Sequence, residues 1–258
     1  MEQSSLVQPQ SHFLLKLSSW LVHLLTASSG ILALYAAKAA VEQQMHTVLY
    51  CVVLTVIIDA IDGPLARLVN VKKHTPNFDG AMLDNVIDFL TWVFIPAFCL
   101  VQSNIFSSET SFFLGTLMIL SSSYFYGCSD VKAQHNFFKR FPSAWSPIIL
   151  CVFTWPVSPS VIFCLIVLCA ILSFVPIYFV HSLRLDVVFT GRKRTDKILS
   201  FIMLVSSICF LILLFSSVYF YPEKPYTLFA FELLFLFSYL VLTLLQNFVF
   251  YKNIRKSR

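Results

Sequence analysis

Long apolar blocks separated by short polar stretches dominate this chain. The blocks run over residues 20–37, 45–61, 81–101, 111–126, 145–157, 161–180, 198–221 and 226–251. Each reaches, or falls slightly short of, the roughly 17–25 residues that a helix needs to cross a bilayer. A helix satisfies its own backbone hydrogen bonds in lipid, so the pattern predicts an all-α, polytopic membrane helix bundle with about eight transmembrane helices. Trp155-Pro156 and Pro159 predict a tight turn between the fifth and sixth blocks. Residues 13–19, with Lys16 among apolar neighbours, read as a segment lying flat at the interface before the first span. Without an internal repeat, low-complexity run or linker, residues 1–258 read as a single integral-membrane domain.

Composition strengthens the membrane reading. Charged residues make up 12% of the chain and mean hydropathy is +0.79, whereas soluble domains carry about 25% charged residues. The 7 cysteines are scattered, none in a CxxC, and read as small buried residues rather than a disulfide framework. No cleavable signal pattern precedes the first apolar block, which is expected to stay. The net charge of +5 matters less than its placement. With the N-terminus inside, Lys38 and Lys224 are the only basic residues in outside loops; the others among the 18 Lys and Arg face inside. The positive-inside rule then places both termini on the cytoplasmic side. The densest basic stretch, Arg184, Arg192, Lys193, Arg194 and Lys197, suits either topological anchoring or anionic headgroups. No feature points to nucleic acid. His12, His23, His46, His74, His135 and His181 show no ligand spacing and read as structural.

Four acids stand out against these apolar flanks. The string Asp59-Ala-Ile-Asp62-Gly63-Pro64-Leu-Ala66-Arg67 is followed, after twelve residues, by Gly80-Ala-Met-Leu-Asp84-Asn-Val-Ile-Asp88. Asp59 and Asp62 are i,i+3, and Asp84 and Asp88 are i,i+4, so each pair shares a helix face. Gly63, Ala66 and Gly80 accompany them, and small residues there leave room for a ligand or let two helices approach closely. One Asp at a membrane helix centre costs roughly 2.5–3.5 kcal/mol on the insertion scale, so four together call for cations. Carboxylate oxygens suit Mg²⁺ or Mn²⁺, and two such ions would balance four aspartates, as in two-metal phosphate chemistry. Pro64 cannot donate to the carbonyl four residues back and is expected to break or kink the helix just past Asp62. Arg67 offers planar donors for diphosphate oxygens.

This string resembles the signature of the CDP-alcohol phosphatidyltransferases, integral membrane enzymes of phospholipid synthesis. The family usually places eight residues between the Arg and the next Gly. The longer gap here is similar to the bacterial branch that joins choline directly to CDP-diacylglycerol, as are Val22-His-Leu-Leu-Thr-Ala-Ser-Ser-Gly30 and Asn136-Phe-Phe-Lys-Arg-Phe-Pro-Ser-Ala-Trp145. The chain departs from the pattern in its basic Lys72-Lys73-His74 loop and its Lys139-Arg140 pair. The resemblance implies a transferase making phosphatidylcholine and CMP at the cytoplasmic face of a bacterial inner membrane, working as a homodimer. It implies that Asp59, Asp62 and Asp84 hold Mn²⁺ or Mg²⁺ with Asp88 close by, that Asp88 is the general base, and that Gly63, Ala66, Arg67 and Gly80 meet the cytidine and diphosphate. A quaternary ammonium is held by aromatic faces or a carboxylate, which nominates Asp130, Tyr124, Tyr126 and Trp145, with Trp92 a further aromatic nearby. Two other readings stay open. One changes the acceptor to serine, inositol phosphate or glycerol phosphate; the other makes the aspartates part of a divalent-cation transporter, which acids at one membrane face and the lack of repeats disfavour.

Overall fold

The computed structural model describes residues 9–128, 132–133, 137–180 and 193–256. The architecture is a helix bundle with the composition of a membrane protein. Helix α1, Pro9–Val41, turns at 42–44 into α2, Met45–Leu68. A single helical turn, α3, Val71–His74, leads to α4, Gly80–Asp88, which continues through a π-helical segment, Phe89–Phe94, into α5, Ile95–Gln102. Then come α6, Ser108–Gly127, α7, Trp145–Thr154, α8, Pro159–Leu172, α9, Lys193–Tyr219, and α10, Tyr226–Lys256.

Five helical stretches have the length and apolar character to cross a membrane: Phe13–Val41, Met45–Leu68, Gly80–Gln102, Arg194–Tyr219 and Tyr226–Leu245. The 20-residue α6 lies between them. Helices α7 and α8, at 10 and 14 residues, extend about 15 and 21 Å at 1.5 Å per residue, short of the roughly 30 Å hydrocarbon layer. They leave from and return to the same end, where the Phe141 N–H donates to the Leu172 carbonyl at 3.2 Å. Pro159 sits in the first turn of α8, the position where a missing N–H costs least.

Three expectations need correction. Residues 13–19 form no separate interfacial segment: α1 is continuous from Pro9, and these residues extend its apolar face. The sixth apolar block ends as a helix at Leu172, because Pro176 lies just beyond and residues 178–180 pair as a strand. Pro64 does not end α2. The proline forfeits one bond to the Ala60 carbonyl, but regular bonding resumes with the Val69 N–H to the Leu65 carbonyl at 3.0 Å. The turn closes only at Asn70, in the left-handed region at φ 53°.

Small residues let α1 and α2 pack closely. Ala33, Ala36, Ala39 and Ala40 are buried in one cluster with Val48, Leu49, Val52 and Val53. Across the bundle, large apolar side chains such as Ile31, Leu34, Phe112 and Phe237 remain exposed, as lipid-facing positions would.

A small antiparallel sheet caps the end where α6 finishes. Strands β1, Lys132–Ala133, β2, Phe137–Lys139, and β3, Tyr178–Val180, lie in the order β1-β2-β3, with Phe138 opposite Phe179. The outer edge of β3 is closed by α10. Asn247 accepts from the Tyr178 N–H at 2.9 Å and donates to the Tyr178 carbonyl at 2.8 Å, and the Tyr239 hydroxyl donates to the Val180 carbonyl at 3.0 Å. A side-chain amide thus does for β3 what another strand would do.

The π segment after Asp88 leaves one carbonyl free for a neighbouring helix. In a π register the N–H of residue 96 would reach the carbonyl of Thr91, and Pro96 has none. The Thr91 carbonyl instead accepts from the Ser146 hydroxyl of α7 at 2.7 Å. The widened turn is thereby tied to a buried neighbour directly below the acidic helix.

Candidate active site

Helix α4 begins where the sequence supplies a cap. Asp79 accepts from the N–H groups of Ala81 and Met82 at 3.1 and 3.0 Å, so this acid, which lies between the two pairs, serves the helix terminus. The next turns of α4 carry Asp84 and Asp88 towards Asp59 of α2. One oxygen from each of Asp59, Asp84 and Asp88 lies within 4.8 Å of the others, and all three residues are half-buried.

Like charges so placed repel strongly: two unit charges 4 Å apart cost about 4 kcal/mol at an effective dielectric of 20. A hard divalent cation resolves that repulsion, and an all-carboxylate donor set of this size fits one. Asp59, Asp84 and Asp88 can therefore hold a metal ion.

Asp62 stands apart from this trio. It is 5% exposed, and its Oδ2 accepts from the Thr26 hydroxyl of α1 at 2.6 Å. Residues three apart on a helix differ by about 60° in direction, which turns Asp62 towards α1 while Asp59 faces α4. Thr26 lies in the Val22–Gly30 string, but nothing in that string links it to Asp62, because a helical Thr ordinarily bonds back to its own turn.

The small residues have separate surroundings. A Cβ at Gly80 would lie 2.6 Å from His23 Cε1, so the space beside Gly80 is filled by an imidazole, and this glycine permits the close approach of α1 and α4. His23 is buried, its Nε2 pairs with Thr75 Oγ1 at 3.0 Å, and its ring lies 5.8 Å from Trp20 and 4.6 Å from Phe78. No spacing in the sequence signals this cluster, because its members come from α1 and the loop before α4. A Cβ at Gly63 would meet Arg67 Nη1 at 3.5 Å, so the guanidinium lies beside Gly63. Ala66 is half-buried and Arg67 exposed, one turn or more beyond the aspartates on α2.

The aromatic candidates separate. Tyr126 packs edge-on to Phe89 at 5.6 Å and stands close enough to feel the charges of Asp88, Asp59 and Asp84. Tyr124 points elsewhere: its ring lies 4.9 Å from Phe174, and the Arg140 guanidinium sits over it at 5.4 Å. Trp145 is fully enclosed, donating from Nε1 to the Ser122 hydroxyl at 2.7 Å and packing on Phe141. Trp92 is half-buried in the π segment. Asp130 lies outside the described residues.

Known proteins bear on this arrangement. The chain is 41% identical over 167 residues to a phosphatidylcholine synthase of Legionella bozemanae, covering 64% of this chain and 77% of that one. It is 39% identical over 163 residues to a phosphatidylcholine synthase of Mesorhizobium japonicum, covering 63% and 61%, and 30% identical over 199 residues to one of Borreliella burgdorferi, covering 77% and 82%. Against the Mesorhizobium protein and a similar one from Brucella melitensis, the match spans about three fifths of the relative's length. No protein-family model matches the chain.

Proposed function

This chain belongs to the phosphatidylcholine synthase family, and from that premise we propose that it joins choline to CDP-diacylglycerol, giving phosphatidylcholine and CMP. The observation that carries the proposal is the convergence of Asp59, Asp84 and Asp88 from two neighbouring helices. In this reading the choline hydroxyl oxygen attacks the phosphorus that carries diacylglycerol. The bond from that phosphorus to the CMP oxygen breaks, and the hydroxyl proton passes to Asp88. Asp59, Asp84 and Asp88 would hold one divalent ion, Mn²⁺ or Mg²⁺, with Asp62 a ligand to a second. When bound, such ions offset negative charge on the phosphates and on the departing CMP. Arg67, exposed at the end of α2, binds the diphosphate, and Gly63 and Ala66 leave that helix face low enough for the nucleotide.

Tyr126 is the aromatic best placed to meet the trimethylammonium, since it flanks Asp88; such a contact is worth about 0.5–2 kcal/mol depending on desolvation. The placement of basic residues supports cytoplasmic termini and a cytoplasmic site. The resemblance supports a homodimer in a bacterial inner membrane.

The test is product formation by the purified protein with CDP-diacylglycerol, Mn²⁺ and equal concentrations of labelled choline, ethanolamine, serine, inositol phosphate and glycerol 3-phosphate. Choline should dominate, because an aromatic, acidic pocket rejects negatively charged acceptors. Faster use of serine or glycerol phosphate would remove the choline assignment and leave a transferase with another acceptor.

A further inference from the structure

The end of the bundle opposite the aspartates holds a cleft that the transferase chemistry does not use. Met45, at its edge, precedes Asp59 by 14 residues of α2, about 21 Å along the helix. The cleft has a volume of about 560 Å³, within the range of small-ligand sites. Three turns of the chain build it: the α1–α2 connection with Gln43 and Gln44, the α5–α6 connection with Asn104, and the α9–α10 connection with Tyr221 and Lys224. Met45, Ile105 and Phe153 supply an apolar lining.

Several of its polar groups are already engaged, Gln43 with the Gln102 carbonyl, Asn104 with Gln43 and Ser103 with the Leu100 carbonyl, which leaves Lys224 and Tyr221 among the donors facing the cleft. Lys224, one of the two basic residues outside the inside-facing set, is part-buried, and burial pushes its pKa below the ordinary lysine value. Among the described residues no carboxylate forms an ion pair with it: Glu42 of the α1–α2 connection is engaged by Lys38 at 2.6 Å, and Glu223, adjacent in the chain, does not line the cleft. Burial raises the Tyr221 pKa above the ordinary phenol value, so its hydroxyl stays a donor at neutral pH. Exposed Tyr219, Phe220 and Tyr226 bracket Lys224 in sequence, the aromatic composition of a membrane–water interface. A partly desolvated ammonium that forms no ion pair, beside a phenol in the same cleft, is chemically complementary to an anionic oxygen group.

We propose that this cleft binds a phosphate anion, as a free ion or as the headgroup of an anionic lipid in the leaflet opposite the active site, with Lys224 as the principal contact and Tyr221 as a second donor.

The experiment is native mass spectrometry on the detergent-purified full chain, titrated separately with short-chain phosphatidylglycerol, short-chain phosphatidylcholine and inorganic phosphate. Comparing Lys224→Gln with Lys224→Arg isolates this cleft from anion binding at Arg67, and melting curves check that each variant is folded. The expected result is about tenfold weaker binding of phosphatidylglycerol, of phosphate, or of both in Lys224→Gln, with binding kept in Lys224→Arg. Loss confined to the lipid identifies a headgroup site; loss confined to inorganic phosphate identifies a free-anion site. Equal affinity of the wild type and folded Lys224→Gln for both anions, or no preference for phosphatidylglycerol over phosphatidylcholine together with no phosphate binding, overturns the proposal.

Discussion

Replacing Gly80 with alanine tests whether the acidic cluster depends on the contact of α1 with α4. The new Cβ would stand 2.6 Å from His23 Cε1 and 3.1 Å from Nδ1, against about 3.5–4.0 Å for an ordinary carbon contact. Helix α4 must therefore withdraw by about 1 Å, or the imidazole must move. The ring is poorly free to move, because Thr75 holds its Nε2 and Trp20 and Phe78 pack on it. Overpacking of this kind costs about 1–3 kcal/mol, of which alanine's better helix propensity returns about 0.5–1 kcal/mol. A net loss of about 1–2 kcal/mol in stability should follow. The larger effect falls on Asp84, one turn further along α4, since a displacement of about 1 Å at a reacting centre can cost about 10²-fold in rate.

The assay is CMP release from CDP-diacylglycerol and choline with saturating Mn²⁺, alongside a melting curve. The same substitution is then made in a His23→Ala background, where the obstructing ring is gone. There Gly80→Ala should cost less than about threefold, a coupling that a double-mutant cycle measures directly. Two outcomes refute the reasoning. One is a Gly80→Ala rate within twofold of wild type. The other is an equal loss in both backgrounds, which would mean that Gly80 leaves room for substrate rather than for His23.

Asp88→Asn should lower turnover by about 10²–10⁴-fold, the span of a lost general base, while CDP-diacylglycerol still binds; near-normal turnover would reassign the base. Stripping divalent ions with a chelator should stop the reaction and lower the melting temperature, because Asp59, Asp84 and Asp88 then repel without compensation; superimposable melting curves with undiminished activity would contradict a metal at this cluster. Thr26→Val should cost about 1–3 kcal/mol by leaving the buried Asp62 carboxylate without its donor, whereas Thr26→Ser should restore most of it; equal melting temperatures for all three proteins would show that the hydroxyl contributes nothing to Asp62.

The acidic cluster was legible in the sequence to the extent that helix geometry governs it. The i,i+4 spacing of Asp84 and Asp88 brings both to one metal-sized group with Asp59. The i,i+3 spacing of Asp59 and Asp62 does less, since a 60° divergence suffices to hand Asp62 to a different neighbour. Thr26 and His23 fall in the Val22–Gly30 string, but their partners could be found only through packing, because each is tied to a residue more than 30 positions away. Hydropathy identified the helical blocks but not their depth. It gives no warning that α7 is only 10 residues long, with most of them buried. The sheet escaped for a related reason: its strands are two or three residues long and rest on Asn247 of a distant helix.

Glu232 adds a consequence for how the bundle is assembled. It is wholly buried in α10, where its carboxylate accepts from the Trp155 indole N–H and from the Ser217 hydroxyl, the latter at 2.7 Å. It lies six residues into the helix, about 9 Å from its start, within what would be apolar depth. Ser217, near the end of α9, can accompany it into the bilayer as the other arm of a hairpin, but Trp155 belongs to the far end of α7. A freshly inserted α10 thus carries an acid with one donor in hand and a second waiting in the earlier helices. Docking against α7 is the step that completes the hydrogen bonding of this carboxylate.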